Sequence, residues 1–443
     1  MNVDRNKVSH IPKKHKVNGK LVAKIKREKY LRKQQKKIAT FEKSQSRLEW
    51  VRQHSAFCTW LDEENVKDLR RWLESKTIKS KDPTLAHMKS GDDINAVGGV
   101  KRKRNNEETI KDEEHDFSAD KEQELSTLFD LVGPYLDLKE NVDTDVIGED
   151  SEEERNKRSF IAEGTETSRL MIERSSKCSN TTTRDDSELV SILVKPATFF
   201  EEPVQLLSTL QECFPRIFSD KEGHVENEYQ PKFQIIIGSE ETLTQIVGFH
   251  VARGALCCGL APNRDESWLM QFLTLKCNGD GGIRILALDQ ISDSANLGSL
   301  IRTSAAFGVD VVILSDDSCD VWYRRCVRVS MGHVLTVPTV RVKNLASILK
   351  QVYQTWDIAS YAAVVDRDAE MVLEEIPRGK IGERWCCVVG NEGNGISSHV
   401  IKSCNNKIRI DMVDTVDSLS VGIAAGVLLH GIREREKRGQ SPI

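Results

Sequence analysis

The chain has no apolar run long enough to cross a bilayer, and its N-terminus lacks the hydrophobic segment of a secretory signal. A soluble, intracellular protein with no membrane partner is therefore expected. The eleven cysteines include no C-x-x-C pair and no Cys/His set at zinc-like spacing. Cys257–Cys258 and Cys386–Cys387 lie in apolar runs, so reduced core thiols and no metal centre are predicted. Neither a Walker A sequence nor a G-x-G-x-x-G fingerprint opening a βαβ unit is present, which disfavours both ordinary nucleotide-binding folds. The N-terminal arm is rich in Lys rather than the Arg and Ser of a transit peptide. Nucleus, nucleolus or cytoplasm is thus the expected compartment, with an organelle as the alternative.

What is present is distributed very unevenly. Residues 1–50 carry 16 Lys/Arg against 4 Asp/Glu, and residues 105–154 carry 3 against 19, so the net charge of −4 hides a basic arm followed by an acidic one. A basic arm suits a polyanion, because each phosphate it neutralises releases condensed counterions. The run Lys101 to Arg104 fits nuclear import. Two modest amphipathic stretches, near 56–76 and 121–138, read as isolated helices. Residues 1–157 are accordingly expected to be a mostly disordered extension whose removal leaves the folded domains intact.

Dense apolar periodicity begins near residue 158. Residues 158–277 alternate helix-like and strand-like pieces, including LVSILV and FQIIIG, and read as a small α/β domain. The turn-rich CNGDGG of 277–282 is a hinge, and a second α/β domain, 283–436, starts with the strand IRILALD. Three loops in it follow strand-like runs: DQISDSANLG, NEGNGIS and VDTVDSLS. Open parallel sheets bind ligands beyond the carboxyl ends of their strands, so these loops are expected to converge. Gly390, Gly393 and Gly395 allow close approach to the main chain, and free amides of such a turn can bind an adenine edge or a carboxylate. Arg302 is the one charge inside the apolar helix predicted over SANLGSLIRTSAAFG. By itself it reads first as a side chain laying its stem on apolar surface with its guanidinium in water.

The ordered set NLGSLIRTSAAFG, VVGNEGNGIS and IDMVDTVDSLSVGIAAGVLL closely resembles the three signature motifs of the SpoU (TrmH-like) family of RNA ribose 2′-O-methyltransferases, within the SPOUT superfamily. The resemblance covers about 283–433, and more loosely extends to the preceding domain through FIAEGTETSRLMIE and LTQIVGFHVARGALCCG. It implies an α/β fold with a C-terminal trefoil-knotted methyltransferase domain, preceded by a small α/β RNA-substrate-binding domain. It also implies S-adenosyl-L-methionine as methyl donor, RNA (rRNA before tRNA) as substrate, and a homodimer formed through the C-terminal helix.

Carried over by position, the resemblance makes Arg302, Asn296, Glu392, Ser418 and Ser420 the catalytic set. Gly390, Gly395, Ile410, Met412 and Leu419 would line the donor pocket. In the stretch VWYRRCVRVSMGHVLTVP, Arg328, then Arg324 and Arg325, would contact RNA phosphates, with Tyr323 available for stacking. Gly422, Ala424, Ala425 and Gly426 permit close helix packing, and Val421, Ile423, Val427 and Leu428 supply apolar area. One departure stands out: the family usually has Ser-Leu-Asn where this chain has Ser418-Leu419-Ser420. A hydroxyl is shorter than a planar amide and makes fewer directed bonds. The alternative is therefore a weakly active or inactive SpoU-fold protein that binds RNA or assists ribosome assembly.

Overall fold

The computed structural model describes residues 43, 45–53, 58–79, 117–136, 138, 158–178, 187–201, 205–218, 232–251, 254–278, 281–366, 369–413, 415–416 and 418–436. Most of the basic arm, the 101–104 run and the acidic stretch from 139 to 157 lie outside these residues. The described residues before Ala56 form a unit by themselves, helical over 45–53. The rest, from Ala56 onward, is built on two sheets.

The first sheet contains β1 (Cys58–Leu61), β2 (Ser159–Glu163), β3 (Glu188–Val194), β4 (Gln234–Gly238) and β5 (Ala255–Leu260) in the order β1-β4-β3-β5-β2. Pairing is parallel at β1–β4 and β3–β4, and antiparallel where β5 meets β3 and β2. The strand β1 and the helices α1 (Glu63–Lys79) and α2 (Ala119–Val132) correct the expected boundary at 158. Cys58 to Leu61 pairs residue by residue with Ile235 to Gly238. Leu61, Val66, Leu69, Leu125, Val132 and Tyr135 join Ile161, Leu193, Ile236 and Leu256 in one core. The Tyr135 hydroxyl lies 2.9 Å from Ser191 Oγ and accepts the Cys258 backbone N–H at 2.9 Å, where β3 slips register between Leu189 and Ser191. Sequence patterning missed this because the two pieces carry their apolar residues on separate short stripes, and each becomes core only against a sheet formed a hundred residues later.

The second sheet is wholly parallel. Its strands are β6 (Ile283–Asp289), β7 (Val311–Ser315), β8 (Thr339–Val342), β9 (Ala359–Ala363), β10 (Met371–Val372), β11 (Arg384–Gly390) and β12 (Asn406–Arg409), in the order β10-β12-β9-β11-β6-β7-β8. IRILALD and RWCCVVG are nearly continuous apolar runs because helices cover both faces of such a sheet. Cys257, Cys258, Cys386 and Cys387 are free and buried, and burial pushes each thiol well above its ordinary range. The helix α5 (Glu266–Cys277) was expected in the small domain, but Leu269, Leu273 and Cys277 bury against Ile283, Ile285 and Val311 of the second sheet. The domain boundary therefore lies before Asp265, which caps α5 by accepting the Trp268 N–H at 2.8 Å. Among the described residues, no helix is long and apolar enough to cross a membrane.

Candidate active site

The register of the second sheet sets the site. β11 pairs with β6 so that Gly390 faces Asp289, and the loops after both strands leave the sheet side by side. Hydrogen bonds then tie them together. Asp289, a buried carboxylate, accepts the backbone N–H and the hydroxyl of Ser397 at 2.7 Å each, and the Asn391 amide donates to the Gln290 carbonyl at 2.9 Å. Asn296 Nδ2 donates to Glu392 Oε1 at 2.6 Å, a charge-assisted bond between the first and second loops.

Asn296 and Arg302 stand on α6 (Ser294–Phe307), which starts where Asp293 accepts the Asn296 N–H and ends at Gly308 in the left-handed region, φ 69°. Leu297, Leu300, Ile301 and Ser304 are its buried face. Gly298 is required by close packing: a Cβ there would lie 2.7 Å from the Cys326 carbonyl of α7 (Arg324–Val329). Arg302 is exposed and makes no hydrogen bond or ion pair among the described residues. Six residues beyond Asn296, it stands about 9 Å further along the helix axis. Its guanidinium acts on His333, whose imidazole is held below its usual range first by burial and then by that charge. His333 is not among the expected site residues, because only the packing of its short helix, His333–Leu335, against α6 brings it to Arg302.

The glycine turn closes on itself. Asn391 and Gly395 exchange backbone hydrogen bonds at 3.0 and 2.9 Å, and a Cβ on Gly390 would meet the Gly395 carbonyl at 2.3 Å. The amides of Gly393 and Asn394 donate to Asn391 Oδ1 at 2.9 and 3.1 Å. The expectation that these amides are free for a ligand is therefore corrected, because the Asn391 side chain takes them. What remains open is space: Gly395 is exposed, with φ 69° and nothing within 4 Å of where its Cβ would sit. The carboxyl ends of β11, β9 and β12 are consecutive, so Gly390 and the half-buried Ile410 stand two strand spacings, about 10 Å, apart. Met412 and Leu419 are also half-buried, Ser418 and Ser420 are exposed, and Val413 and Val416 expose apolar side chains on the same loop.

Ser420 occupies the cap position of α9 (Val421–Glu434) without using its side chain there. The small residues of α9 pack within the chain: Cβ positions at Gly422 and Gly426 would contact Ser299 and Thr303, one helical turn apart on α6. Val421, Ala425 and Leu428 are buried, whereas Ile423 and Val427, 59% and 37% exposed, form a separate outward stripe. The three arginines expected at RNA divide. Arg325 is exposed, but Arg324 is 8% exposed, 3.4 Å from Glu163 and 4.5 Å over the Phe249 ring. Arg324 therefore joins the two sheets and is corrected from RNA contact to internal cation. Arg328 is half-buried and also pairs with Glu163, at 3.5 Å. Tyr323 is half-buried at the start of α7. No cluster of metal-ligating side chains occurs among the described residues.

Residues 284–430 match the SpoU rRNA Methylase family. A TrmH family tRNA/rRNA methyltransferase of Staphylococcus haemolyticus is 30% identical over 174 residues, covering 39% of this chain and 67% of that protein. An uncharacterized tRNA/rRNA methyltransferase of Mycobacterium tuberculosis is 29% identical over 202 residues, 45% of this chain and 65% of its own length. The 23S rRNA (guanosine(2553)-2′-O)-methyltransferase RlmP of Bacillus subtilis is 29% identical over 150 residues, 34% of this chain and 58% of its own. The chain thus spans somewhat less than two thirds of the length of the latter two relatives.

Proposed function

The chain belongs to the SpoU (TrmH-like) family, and from that premise we propose that it methylates the ribose 2′-oxygen of RNA, ribosomal RNA before transfer RNA, with S-adenosyl-L-methionine as donor. The observation that carries the reading is the 2.6 Å bond from Asn296 to Glu392. It fixes two polar groups at the paired ends of β6 and β11, where a parallel sheet presents ligands, and the helix that holds Asn296 also presents an exposed arginine. The donor fits the opening beside them. Gly395 leaves an uncrowded floor, and Ile410, Met412 and Leu419 offer half-buried apolar side chains in the segment after β12. The second and third motifs would form the trefoil knot of the family, and the Ile423/Val427 stripe would be the homodimer face.

The donor, when bound, supplies an electrophilic methyl group. The 2′-hydroxyl gives up its proton to solvent as the bond to the methyl forms, and the protein's part is to hold that oxygen in line and stabilise the charge it develops. Arginine is a poor base, so Arg302 acts as an electrostatic partner of the oxygen or the adjoining phosphate as negative charge develops. Glu392, aligned by Asn296, orients the ribose. The hydroxyl of Ser420, unused by helix capping, replaces the family's asparagine.

Transfer of labelled methyl to total RNA, followed by alkaline digestion, tests the reading, since a 2′-O-methyl group blocks cleavage at the neighbouring phosphodiester. Arg302→Ala should abolish transfer and leave donor binding nearly unchanged, and Arg302→Lys should rescue little, because lysine lacks the planar fork. Donor binding without transfer to any RNA would favour instead a binding or assembly role, the reading that Ser420 keeps open.

A further inference from the structure

The strand β6 runs directly into a strained residue. Gln290 has φ 59°, in the left-handed region that a side chain with a Cβ seldom adopts. Met331 and Asp357 share that region, but Met331 lies in the turn after α7 and Asp357 ends the helix Leu345–Trp356. Gln290 follows a strand instead. Backbone strain of this kind persists only where the surroundings hold it, and it collects at functional sites.

Three hydrogen bonds hold Gln290, one on each part of the residue. Its backbone N–H donates to Ser315 Oγ at 2.8 Å, its Nε2 donates to Asp317 Oδ2 at 2.7 Å, and its carbonyl accepts Asn391 Nδ2 at 2.9 Å. The first two partners come from the end of β7 and the loop after it, which is itself braced. Arg341 of β8 sets its guanidinium 2.6 to 3.1 Å from the carbonyls of Ser315, Asp316, Ser318 and Cys319. Ser315 Oγ donates to Asp317 Oδ1 at 2.6 Å, and Ser318 Oγ accepts the Ile291 N–H at 3.2 Å. The Asp317 carboxyl is held below its usual range, first by the Ser315 hydroxyl and further by the Gln290 amide, so it serves as a charged acceptor.

The third bond carries this order into the second motif. Asn391 gives its amide N–H to the Gln290 carbonyl and takes the Gly393 and Asn394 amides on its Oδ1, while its backbone pairs with Gly395. Rotating Gln290 into the ordinary φ range would turn its carbonyl away from Asn391. The side chain that shapes the turn would then lose its anchor.

We propose that Gln290 is a positioning residue for the glycine turn: its left-handed backbone, clamped by Asp317 and Ser315, aims the carbonyl that fixes Asn391 and so places Glu392 and Gly395. Its consequence for the methyl donor rests on the methyltransferase reading above, whereas the link from Asp317 to the turn does not.

The test exchanges donor and acceptor across the exposed end of the link, on the full chain. Gln290→Glu keeps the size of the side chain and sets a second carboxylate against Asp317. Adding Asp317→Asn restores an amide-to-carboxylate bond in the opposite sense, and the new side-chain oxygen can still accept from Ser315. Asp317→Ala, at an exposed position, removes the same bond without adding charge and should act in the direction of Gln290→Glu. Hydrogen–deuterium exchange over 391–397 in the ligand-free protein reads the turn, calorimetry of S-adenosylmethionine reads the donor, and a urea midpoint reads the fold. Gln290→Glu should speed exchange in the turn and weaken donor binding, each about fivefold, as expected for loss of one charge-assisted bond. The double variant should return both to within about twofold of the parent. Parental exchange and donor affinity in Gln290→Glu would overturn the proposal. So would a loss that Asp317→Asn does not restore, or a lowered urea midpoint with exchange and donor affinity unchanged. If exchange in the turn rises and reverts as described while the unmodified protein binds no donor, the positioning role stands and the methyltransferase reading falls.

Discussion

Replacing Tyr135 with Phe removes a single oxygen and tests whether residues before 158 belong to the small domain. The hydroxyl is fully buried, lies 2.9 Å from Ser191 Oγ and accepts the Cys258 N–H at 2.9 Å, at the point where β3 shifts register against β5. Burial pushes the phenol well above its ordinary range, so it serves as a neutral hydrogen-bonding group. Phenylalanine fills the same volume, so no large cavity term arises. The cost is a buried N–H left without its partner, about 1–3 kcal/mol. Leu125→Ala, also in this core, should cost about 2–5 kcal/mol. A chain beginning at 158 should do far worse, because it uncovers Leu193, Ile236, Leu243 and Leu256 together and exposes the β4 edge that β1 covers. Urea unfolding of each protein, followed by circular dichroism, reads these losses as shifts in midpoint, with the slope unchanged for the point variants. A Tyr135→Phe midpoint within error of the parent, or a chain starting at 158 that unfolds like the full protein, would refute the assignment.

Arg324→Ala should destabilise by about 1–3 kcal/mol, because it leaves the 12%-exposed Glu163 carboxylate with Arg328 as its remaining cation and takes the guanidinium off the Phe249 ring, whereas Arg325→Ala should stay within about 0.5 kcal/mol; paired urea titrations separate them. Gly390→Ala drives a methyl into the Gly395 carbonyl and should cost about 1–3 kcal/mol, together with donor binding, as read by thermal unfolding and calorimetry. His333 is held below its usual range, so as pH falls the unfolded chain takes up its proton first. The stability tied to its neutral form is present above about pH 6.5 and declines as pH drops through that value toward the lower folded one; His333→Gln should flatten this part of a melting-temperature series between pH 7.5 and 5. Ile423→Asp should leave the fold intact and shift the sedimentation of the protein to that of a monomer, since the side chain is 59% exposed on the stripe assigned to the dimer.

The second domain was legible in the sequence because its signals are local. IRILALD, VVIL and WCCVVG are apolar runs that only a sheet covered on both faces accommodates, and the residues that chemistry selects sit in the polar loops that interrupt them. Asn296, Arg302 and Glu392 are named by the family resemblance of the motifs that hold them, the first two on the helix after β6 and the third in the loop after β11. That Asn296 meets Glu392, 96 residues away, follows from the pairing of Gly390 with Asp289, which depends on strand order and register rather than on either loop. Arg324 and Arg325 are indistinguishable as adjacent basic residues. Only the arrival of Glu163 and Phe249 from another sheet buries the first and leaves the second in water. The same holds for β1, α1 and α2, whose short apolar stripes have no partner within their own segments and become core when β4, β3 and β5 are placed beside them. Local composition therefore determined which segments form parallel strands and which loops carry polar chemistry. Tertiary contact decided which charges are internal and where the small domain begins, because burial is a property of the surface a side chain meets.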